Sequence, residues 1–506
     1  MKFIKNTDFL VILSLIFLSL LTWRAIPSSQ FQGEGFYYFL KMEDKLNFGH
    51  IINPFLNLHK YYDTLALSLF NFIGPIFRDQ VFLYMWLMLI IMLLIDTAFY
   101  ILVKITTGSR LVAIVGTIFF SLSFIGKYDM YANGGYQYFV QRGILLLPLL
   151  ISFIFLHLYI SSNKLKYFVT SLFLYLLSIT MGFFGTWFLP PFIFYPLLYL
   201  LFRLKKINLS LIKKIIWLPV PYLIGNYLII KDSSYSFVED SILELFFYKT
   251  SFVITGIVHQ LFVTTIPIGF YKFIVELPVN VGLNIDKTII FGIILVLLYG
   301  GGLLLIKKYS PKWIVLSLTA FFAALTMLFF NLYLNYAATL STIGSSRYFY
   351  YPATMIALFW GLVIVTLFKI GSLKFKAGVA LFVIFWAISN IYTINNEVKK
   401  DYSKHKNNRD IIVYLNKWYP QMKDFPSFIV LPSNIGAYGG EFTKRFYMNS
   451  DDYVGIEGLH QLDYQELAKN KVNPEHLFVL HYDHSSESVI DETQKWRKYL
   501  YSLENE

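Results

Sequence analysis

VFLYMWLMLIIMLLIDTAFYILVK, residues 81–104, is a long apolar run whose only charged residues are Asp96 and Lys104. A membrane-spanning helix needs about 20 consecutive, mostly apolar residues, and soluble domains do not repeat such runs. Similar runs recur along this chain of 506 residues, which is 56% hydrophobic and only 15% charged. The sequence therefore predicts an all-α polytopic membrane protein.

The positions of Lys and Arg test the number of spans. With the N-terminus inside, the short inner loops carry 17 basic residues against a single acid, Asp8. The outer side, without the C-terminal tail, carries 12 basic and 12 acidic residues. This asymmetry follows the positive-inside rule and predicts a multi-pass protein of the plasma membrane with a cytoplasmic N-terminus. The 11 predicted spans lie at about 9–27, 81–104, 110–126, 139–160, 166–183, 186–203, 213–231, 288–306, 313–334, 350–369 and 375–394.

Two further apolar segments are not counted as spans. Residues 61–77 are short and interrupted by Gly-Pro, and a crossing there would place every later basic cluster on the wrong side. We expect them to form a helix along the outer surface. Residues 245–270 are predicted to be interfacial or re-entrant. The large external loops are then 28–80, which contains the surface helices, and 232–287.

The chain divides into a membrane domain, residues 1–394, and a small extracytoplasmic domain, residues 395–506. The tail lacks apolar runs and carries 14 Lys or Arg against 17 Asp or Glu. It shows a polar helix at 396–418, strands at 428–432 and 476–483, and a closing helix. These elements predict a small α/β fold, and about 110 residues suffice for an independent domain.

The net charge of +12 does not indicate nucleic-acid binding. The basic excess lies in the membrane domain, where loop charge sets the orientation, while the tail is acidic. We therefore predict no nucleic-acid partner. The absence of cysteine excludes a disulfide, a CxxC redox pair, a thiol nucleophile and a thiolate metal site.

The stretch QFQGEGFYYFLKMED, residues 30–44, carries three acids just outside the first span. Glu34 lies between two glycines, which let a ligand approach the backbone closely. If a helix begins at Gly35, the alternative is that Glu34 simply caps backbone N–H groups. Glu43 is flanked by lysines, as on a solvated face, and lies about 180° from Glu34 on a helix. Asp44 is nearer to the Glu34 face, so Glu34 and Asp44 are the candidate catalytic acids.

SSRYFYYP, residues 345–352, supplies a candidate anion-binding group. Arg347 is the only charge in the loop 335–351. A guanidinium at the membrane surface is suited to bind phosphate or carboxylate bidentately. The alternative is an Arg that anchors the helix to lipid head groups. The tyrosines that follow, among them Tyr348 and Tyr350, are typical of an interfacial aromatic belt.

The short external loop 127–138 and its flanks add polar groups to the same side. Asp129, Tyr136 and Arg142 are candidates for lining a substrate-binding cleft, although an Asn-Gly-Gly sequence also explains the loop as a tight turn. Asp96, inside a span, is either a helix-packing contact or part of a proton relay. No cofactor is predicted, no residues have metal-site spacing, and the metal requirement stays open.

The architecture and two local motifs resemble the GT-C superfamily of integral-membrane glycosyltransferases. The shared architecture is about 11 transmembrane helices, a large first external loop with acids and surface helices, and a small external C-terminal domain. The motifs are an acid shortly after the first span, here GEGFYYF, and an Arg-Tyr-aromatic-Pro segment before a late span, here RYFYYP. The second motif is similar to a segment of protein O-mannosyltransferases and their bacterial relatives. Many members have two adjacent acids early in the loop, whereas here Glu34 precedes Glu43 and Asp44 by nine residues or more.

The resemblance implies a sugar donor carried on a polyprenyl phosphate within the cell envelope. The sugar would pass to a glycan, lipid or protein acceptor at the outer face, with inversion at the anomeric carbon. Glu34 would be the general base, with Asp44 as the reserve candidate, and Arg347 would stabilise the departing lipid phosphate. Tyr348 and Tyr350 would line the lipid or sugar side, and membrane lipids would be the surrounding partners.

Two other function classes stay open at this point. A transporter or lipid flippase would show intramembrane ionisable pairs and broken helices in two matching halves, whereas the sequence shows Asp96 alone and no repeat. A non-catalytic assembly factor for envelope polysaccharides, built on the same fold, would share the whole pattern.

Overall fold

The structure, a computed structural model, describes residues 6–28, 47–56, 64–77, 80–124, 126–127, 142–203, 215–232, 242–266, 285–334, 349–422, 428–431, 456–457, 473–483, 485–486 and 488–504. Within these ranges the chain forms 15 α-helices and four strands. The helices are α1 (Asn6–Trp23), α2 (Phe48–Leu56), α3 (Thr64–Phe77), α4 (Val81–Thr107), α5 (Arg110–Ser121), α6 (Leu146–Ser162), α7 (Leu165–Met181), α8 (Pro190–Arg203), α9 (Pro219–Asp232), α10 (Ile242–Thr265), α11 (Ile285–Tyr309), α12 (Ile314–Leu334), α13 (Tyr350–Ile370), α14 (Leu373–Met422) and α15 (Thr493–Glu504). The strands are β1 (Phe428–Leu431), β2 (Ile456–Glu457), β3 (Leu477–Asp483) and β4 (Ser488–Asp491).

The described helices form the bundle of a polytopic membrane protein. Six are long and apolar enough to cross a membrane, and six shorter ones of 10–17 residues are also apolar. Helices α7 and α9 run parallel to each other, as the pairs Ser171–Tyr222 and Tyr175–Asn226 show. All 11 predicted spans coincide with helices, although how many of these helices cross a membrane stays a prediction.

Predicted boundaries differ from the structure at several helix ends, among them the start of α6, predicted at 139 and found at Leu146, and the end of α5. The span predicted at 110–126 ends at Ser121, whose carbonyl oxygen accepts a hydrogen bond of 3.0 Å from Trp23 Nε1 on α1. This bond satisfies one of the carbonyls that a helix C-terminus leaves without an intrahelical partner. The last span and the polar helix of the tail are one continuous helix, α14, so the boundary predicted at residue 394 falls inside it.

The predicted inner loops gather at one end of the bundle, here called the basic end. Asp8 of α1 accepts hydrogen bonds from Lys104 and from Arg110 Nε (3.0 Å), which flank the α4–α5 loop. Trp313, in the α11–α12 connection, donates to the carbonyl of Thr107 across 3.0 Å. Lys369, at the end of α13, places its amine 3.7 Å from the centroid of the Trp313 ring. Four segments that the charge pattern assigns to one side therefore do lie together.

Helices α5 and α13 approach closely because small residues line their contact. A Cβ on Gly361 would lie 3.0 Å from Gly116 Cα and 3.1 Å from the Val112 carbonyl oxygen. Ala357 and Gly361 are four residues apart on α13, the small-residue spacing that lets membrane helices pack backbone against backbone. Every residue of α13 from Tyr350 to Thr366 is buried, so α13 is a central helix of the bundle.

Buried hydrogen bonds join α6, α7 and α9. Ser152 and Ser171 each donate to the carbonyl oxygen of the other, across 2.7 and 2.8 Å. Ser171 Oγ also lies 2.7 Å from the hydroxyl of Tyr222, and Tyr175 donates to Asn226 Oδ1 across 2.7 Å. Such bonds hold neighbouring helices in register where apolar contact alone gives no preference over lipid.

The two segments left out of the span count have distinct geometries. Helix α3, which covers most of residues 61–77, has 14 residues and is therefore about 21 Å long, shorter than the ~30 Å hydrocarbon layer. It packs against α2, and Phe77 meets Tyr84 at the start of α4 edge-on, with ring centroids 5.1 Å apart. Its length agrees with the predicted surface helix, whose place relative to a membrane stays a prediction.

Helix α10 (Ile242–Thr265), which covers most of the segment 245–270, runs parallel to the next described helix along the chain, α11. His259 meets Thr288 (3.1 Å), Phe262 stacks on Phe291 (3.9 Å between centroids), and Thr265 meets Tyr299 (3.2 Å). Helix α10 thus ends beside the middle of α11. Whether residues 245–270 are interfacial or re-entrant stays a prediction.

Helix α14 carries the small sheet of the C-terminal region. Trp386 stacks on Phe119 of α5 with centroids 4.3 Å apart, and Trp418, near the other end of α14, packs on Phe478 of β3 at 5.1 Å. The strand order is β2-β1-β3-β4, with β1 parallel to β2 and β3, and β4 antiparallel to β3. The predicted strands and closing helix are confirmed, and whether residues 395–506 form an independent domain stays a prediction.

Candidate functional site

Two of the predicted site residues, Arg142 and Tyr350, are described, and both are buried, with exposures of 6% and 1%. The other six, Glu34, Asp44, Asp129, Tyr136, Arg347 and Tyr348, lie outside the described residues. The structure does locate the described residues that precede or follow their segments.

Aromatic side chains gather at the end of the bundle opposite the basic end. Tyr350 lies 6.1 Å from Phe120 and 6.0 Å from Tyr351, measured between ring centroids. Tyr351 in turn meets the Phe188 ring edge-on at 5.9 Å, and this ring belongs to a short 3-10 turn, Phe183–Phe188. We call this group the aromatic end; its members are Trp23, Phe120, Phe184, Trp187, Phe188, Tyr350 and Tyr351.

A tight turn at Gly126 and Lys127 packs against the start of α13. Gly126 has a φ of +89°, a conformation that residues with a Cβ rarely adopt. A Cβ there would lie 3.0 Å from backbone atoms of both Phe349 and Tyr350, so the site admits only glycine without movement. The turn thereby brings Gly126, three residues before Asp129, against Phe349, two residues after Arg347.

Arg142 places a buried positive charge at the aromatic end. Its guanidinium carbon lies 3.9 Å from the centroid of Phe184 and 5.6 Å from that of Trp187. Cations are attracted to the faces of aromatic rings, most strongly where water is excluded. The carbonyl oxygen of Arg142 accepts a hydrogen bond of 2.8 Å from Tyr351, which ties the residue to α13. Arg142 and Tyr350, both predicted to lie on the outer side, thus belong to the same end of the bundle, and their role in binding a substrate stays a prediction.

Sequence reasoning missed the role of Lys127, which was assigned to the external loop 127–138. Its amine is fully buried and donates to Asp96 Oδ1 across 2.6 Å. Ser19 of α1 donates to the second oxygen, Asp96 Oδ2, across 2.9 Å, and the Lys127 amine lies 4.2 Å from the Phe120 ring centroid. Asp96 is thus a packing contact. The sequence indicates that Asp96, an acid inside a span, needs a partner, but not that this partner is Lys127.

Metal ligands do not gather in the part of the chain that the structure describes, where no three His, Asp or Glu side chains come together. His259 hydrogen-bonds Thr288 and meets the Phe291 ring edge-on, as a polar contact between α10 and α11. The described part of the site is therefore built from Arg142, Lys127 and aromatic side chains.

Comparison with known proteins gives no assignment: no protein-family model matches the chain, and no curated protein matches it in sequence. The functional inference therefore depends on the motifs and on the geometry at the aromatic end.

Proposed function

We propose that the protein is a membrane glycosyltransferase. It moves a sugar from a polyprenyl-phosphate-linked donor to an acceptor at the outer face of the membrane, with the reaction centre at the aromatic end. The donor class and the outer-face location follow the resemblance to GT-C enzymes. The sugar and the acceptor, which is a glycan, a lipid or a protein, are not specified by the residues.

The observation that carries the proposal is the convergence of three chain segments at the aromatic end. In the sequence, Asp129 follows Lys127 by two residues, and Arg347 precedes Phe349 by two residues. Gly126 of the first segment touches the backbone of Phe349. The third segment follows α1, whose Trp23 is bonded to Ser121 at the same end. In the sequence, Glu34 follows the last described residue of that segment, Ser28, by six positions.

The chemistry needs few groups, and these segments supply them. As the acceptor hydroxyl oxygen attacks the anomeric carbon, its proton passes to the Glu34 carboxylate. The bond from that carbon to the phosphate oxygen breaks, and the phosphate leaves with the electron pair. Attack opposite the leaving group inverts the anomeric carbon. Arg347 would stabilise the developing phosphate charge, and such stabilisation is most effective in a site from which water is excluded.

One observation favours a second candidate, a transporter. A buried ionisable pair between transmembrane elements is expected of ion-coupled transport, and Lys127 and Asp96 form such a pair. The described helices give no matching halves to accompany it. Ion-coupled transport is therefore kept as the outcome to exclude rather than as the main proposal.

Glu34→Gln tests the proposed base, with Glu43→Gln as the matched control in the same stretch. Loss of a general base typically lowers the rate about 10²–10⁴-fold, so we expect at least a hundredfold loss for the first variant and wild-type transfer for the second. The assay follows radiolabelled sugar from polyprenyl-phosphate donors with the purified protein in lipid nanodiscs. Equal transfer by the Glu34 variant and wild type would refute the assignment of the base.

Arg347→Gln tests the anion-binding group, with Lys45→Gln as its control. Removing one group that stabilises transition-state charge costs about 10²–10³-fold in kcat. A wild-type protein that transfers no sugar but carries a proton-coupled flux into proteoliposomes would establish the transporter instead. Wild-type transfer by the Arg347 variant would remove that residue from the site.

A further inference from the structure

Lys127 is enclosed on every side by elements of the bundle. It follows the end of α5, yet its side chain turns back over the Phe120 ring and reaches Asp96 on α4. Asp96 also accepts the hydrogen bond from Ser19 on α1. The Asp96 carboxylate on α4 therefore joins two other elements. Its Oδ1 accepts from Lys127 in the turn after α5, and its Oδ2 accepts from Ser19 on α1.

The same turn also contacts α13 through its other residue. Gly126 lies against the backbone of Phe349 and Tyr350, at the distance where even a methyl group would clash. A shift of the Lys127 backbone is transmitted directly to its neighbour Gly126 and so to the start of α13. The ion pair consequently fixes the position of two chain segments that lead to candidate site residues, Asp129 and Arg347.

We propose that the Lys127–Asp96 ion pair is a positioning device for the reaction centre, holding the Gly126–Lys127 turn against the first turn of α13. The expected effect on the transfer rate rests on the proposed function, whereas the expected effect on the position of the turn does not. Catalytic groups must be held close to their productive geometry, and small displacements cost large factors in rate. Neither Lys127 nor Asp96 touches the substrate in this proposal.

The test removes the pair without leaving a buried charge. A single change, such as Asp96→Leu, would strand the Lys127 amine, and the protein would unfold for that reason alone. The double variant Asp96→Leu with Lys127→Met replaces both groups by apolar side chains of similar size, a change that buried ion pairs often tolerate without loss of stability. The control is Asp8→Asn with Lys104→Met, which removes an ion pair between α1 and α4 at the basic end and leaves the second partner of Asp8, Arg110, partly exposed to solvent.

Two readouts are compared, each in nanodiscs. Amide hydrogen exchange, measured by mass spectrometry, reports on residues 122–127 and 349–357. Sugar transfer gives kcat and the donor KM. We expect the double variant to unfold at the wild-type midpoint, to exchange at least ~10-fold faster in both stretches, and to lose at least ~10-fold in kcat with KM unchanged within about twofold. The control should match wild type in both stretches.

The outcomes separate this inference from the proposed function. Unchanged exchange in a stably folded double variant overturns the positioning device, whatever the transfer rate. Faster exchange with unchanged kcat also overturns it, because the turn would then move without affecting the reaction. Faster exchange in a protein whose wild type transfers no sugar would uphold the structural role and remove the glycosyltransferase proposal.

Discussion

Gly361→Ala is expected to weaken the contact between α5 and α13. The size of the resulting loss of stability follows from the local geometry. Carbon atoms pack at about 3.5–4.0 Å, whereas the added methyl would begin 3.0 Å from Gly116 Cα and 3.1 Å from the Val112 carbonyl oxygen. The two backbones must therefore separate by about 0.5–1 Å. Forcing extra carbon into a packed interior costs about 1–3 kcal/mol.

Two control variants isolate this packing cost. Gly301 lies within α11, and a Cβ there would meet no atom within 4 Å. Gly116→Ala lies in the same α5–α13 contact, but its Cβ would sit 3.5 Å from the Ala357 carbonyl oxygen, an ordinary contact. In all three variants alanine gains about 0.5–1 kcal/mol over glycine in a helix interior. That gain cancels in the comparison, so Gly361→Ala should be about 1–3 kcal/mol less stable than Gly301→Ala.

The assay is equilibrium unfolding of the purified protein in mixed micelles with rising dodecyl sulfate, followed by the fluorescence of its nine tryptophans. We expect the Gly361 variant to unfold at a lower detergent fraction than wild type. The Gly301 and Gly116 variants should unfold at the wild-type fraction or slightly above it. Equal midpoints for the Gly361 and Gly301 variants would show that the two helices do not depend on the close backbone approach.

Two further predictions concern the turn and the orientation. Gly126→Ala should destabilise the protein more than Gly108→Ala. Both residues have a positive φ, where an added Cβ costs about 1–2 kcal/mol, but of the two only Gly126 would also bring its Cβ to 3.0 Å from backbone atoms. Equal shifts of the thermal unfolding midpoint in the two variants would contradict the packing of the turn on α13. Because the chain lacks cysteine, an impermeant maleimide should label Ser502→Cys on intact cells and Lys308→Cys only in opened membranes. The reverse pattern would invert the predicted topology.

Much of the bundle could be predicted because apolar length and loop charge are local signals. About 20 residues of sequence are enough to predict features such as the run that contains α4, the basic residues Lys104 and Arg110, and the late helix α13. The end of α5 could not be predicted in this way. It depends on Trp23, 98 positions away from Ser121, which supplies the hydrogen bond where the helix stops.

The site was only partly predictable for the same physical reason. Arg142 and Tyr350 were singled out by residue type, and the structure brings both to the aromatic end. The partner of Asp96 could not be identified, because Lys127 is 31 positions away and belongs by sequence to an external loop. A lysine in a loop is ordinarily solvated, and only the tertiary contacts with Phe120 and Asp96 explain why this one is buried.

Helix α14 has a consequence for the small sheet at its far end. With 50 residues it is about 75 Å long, whereas about 20 residues suffice to cross a bilayer. Trp418 is packed on β3, so the sheet follows the helix in both height and direction. One added residue within the helix would raise the sheet by about 1.5 Å and turn it by about 100°, while seven would raise it ~10 Å and nearly restore its facing. The number of residues in one helix thus sets together the height of the sheet along the helix axis and the direction in which the sheet faces.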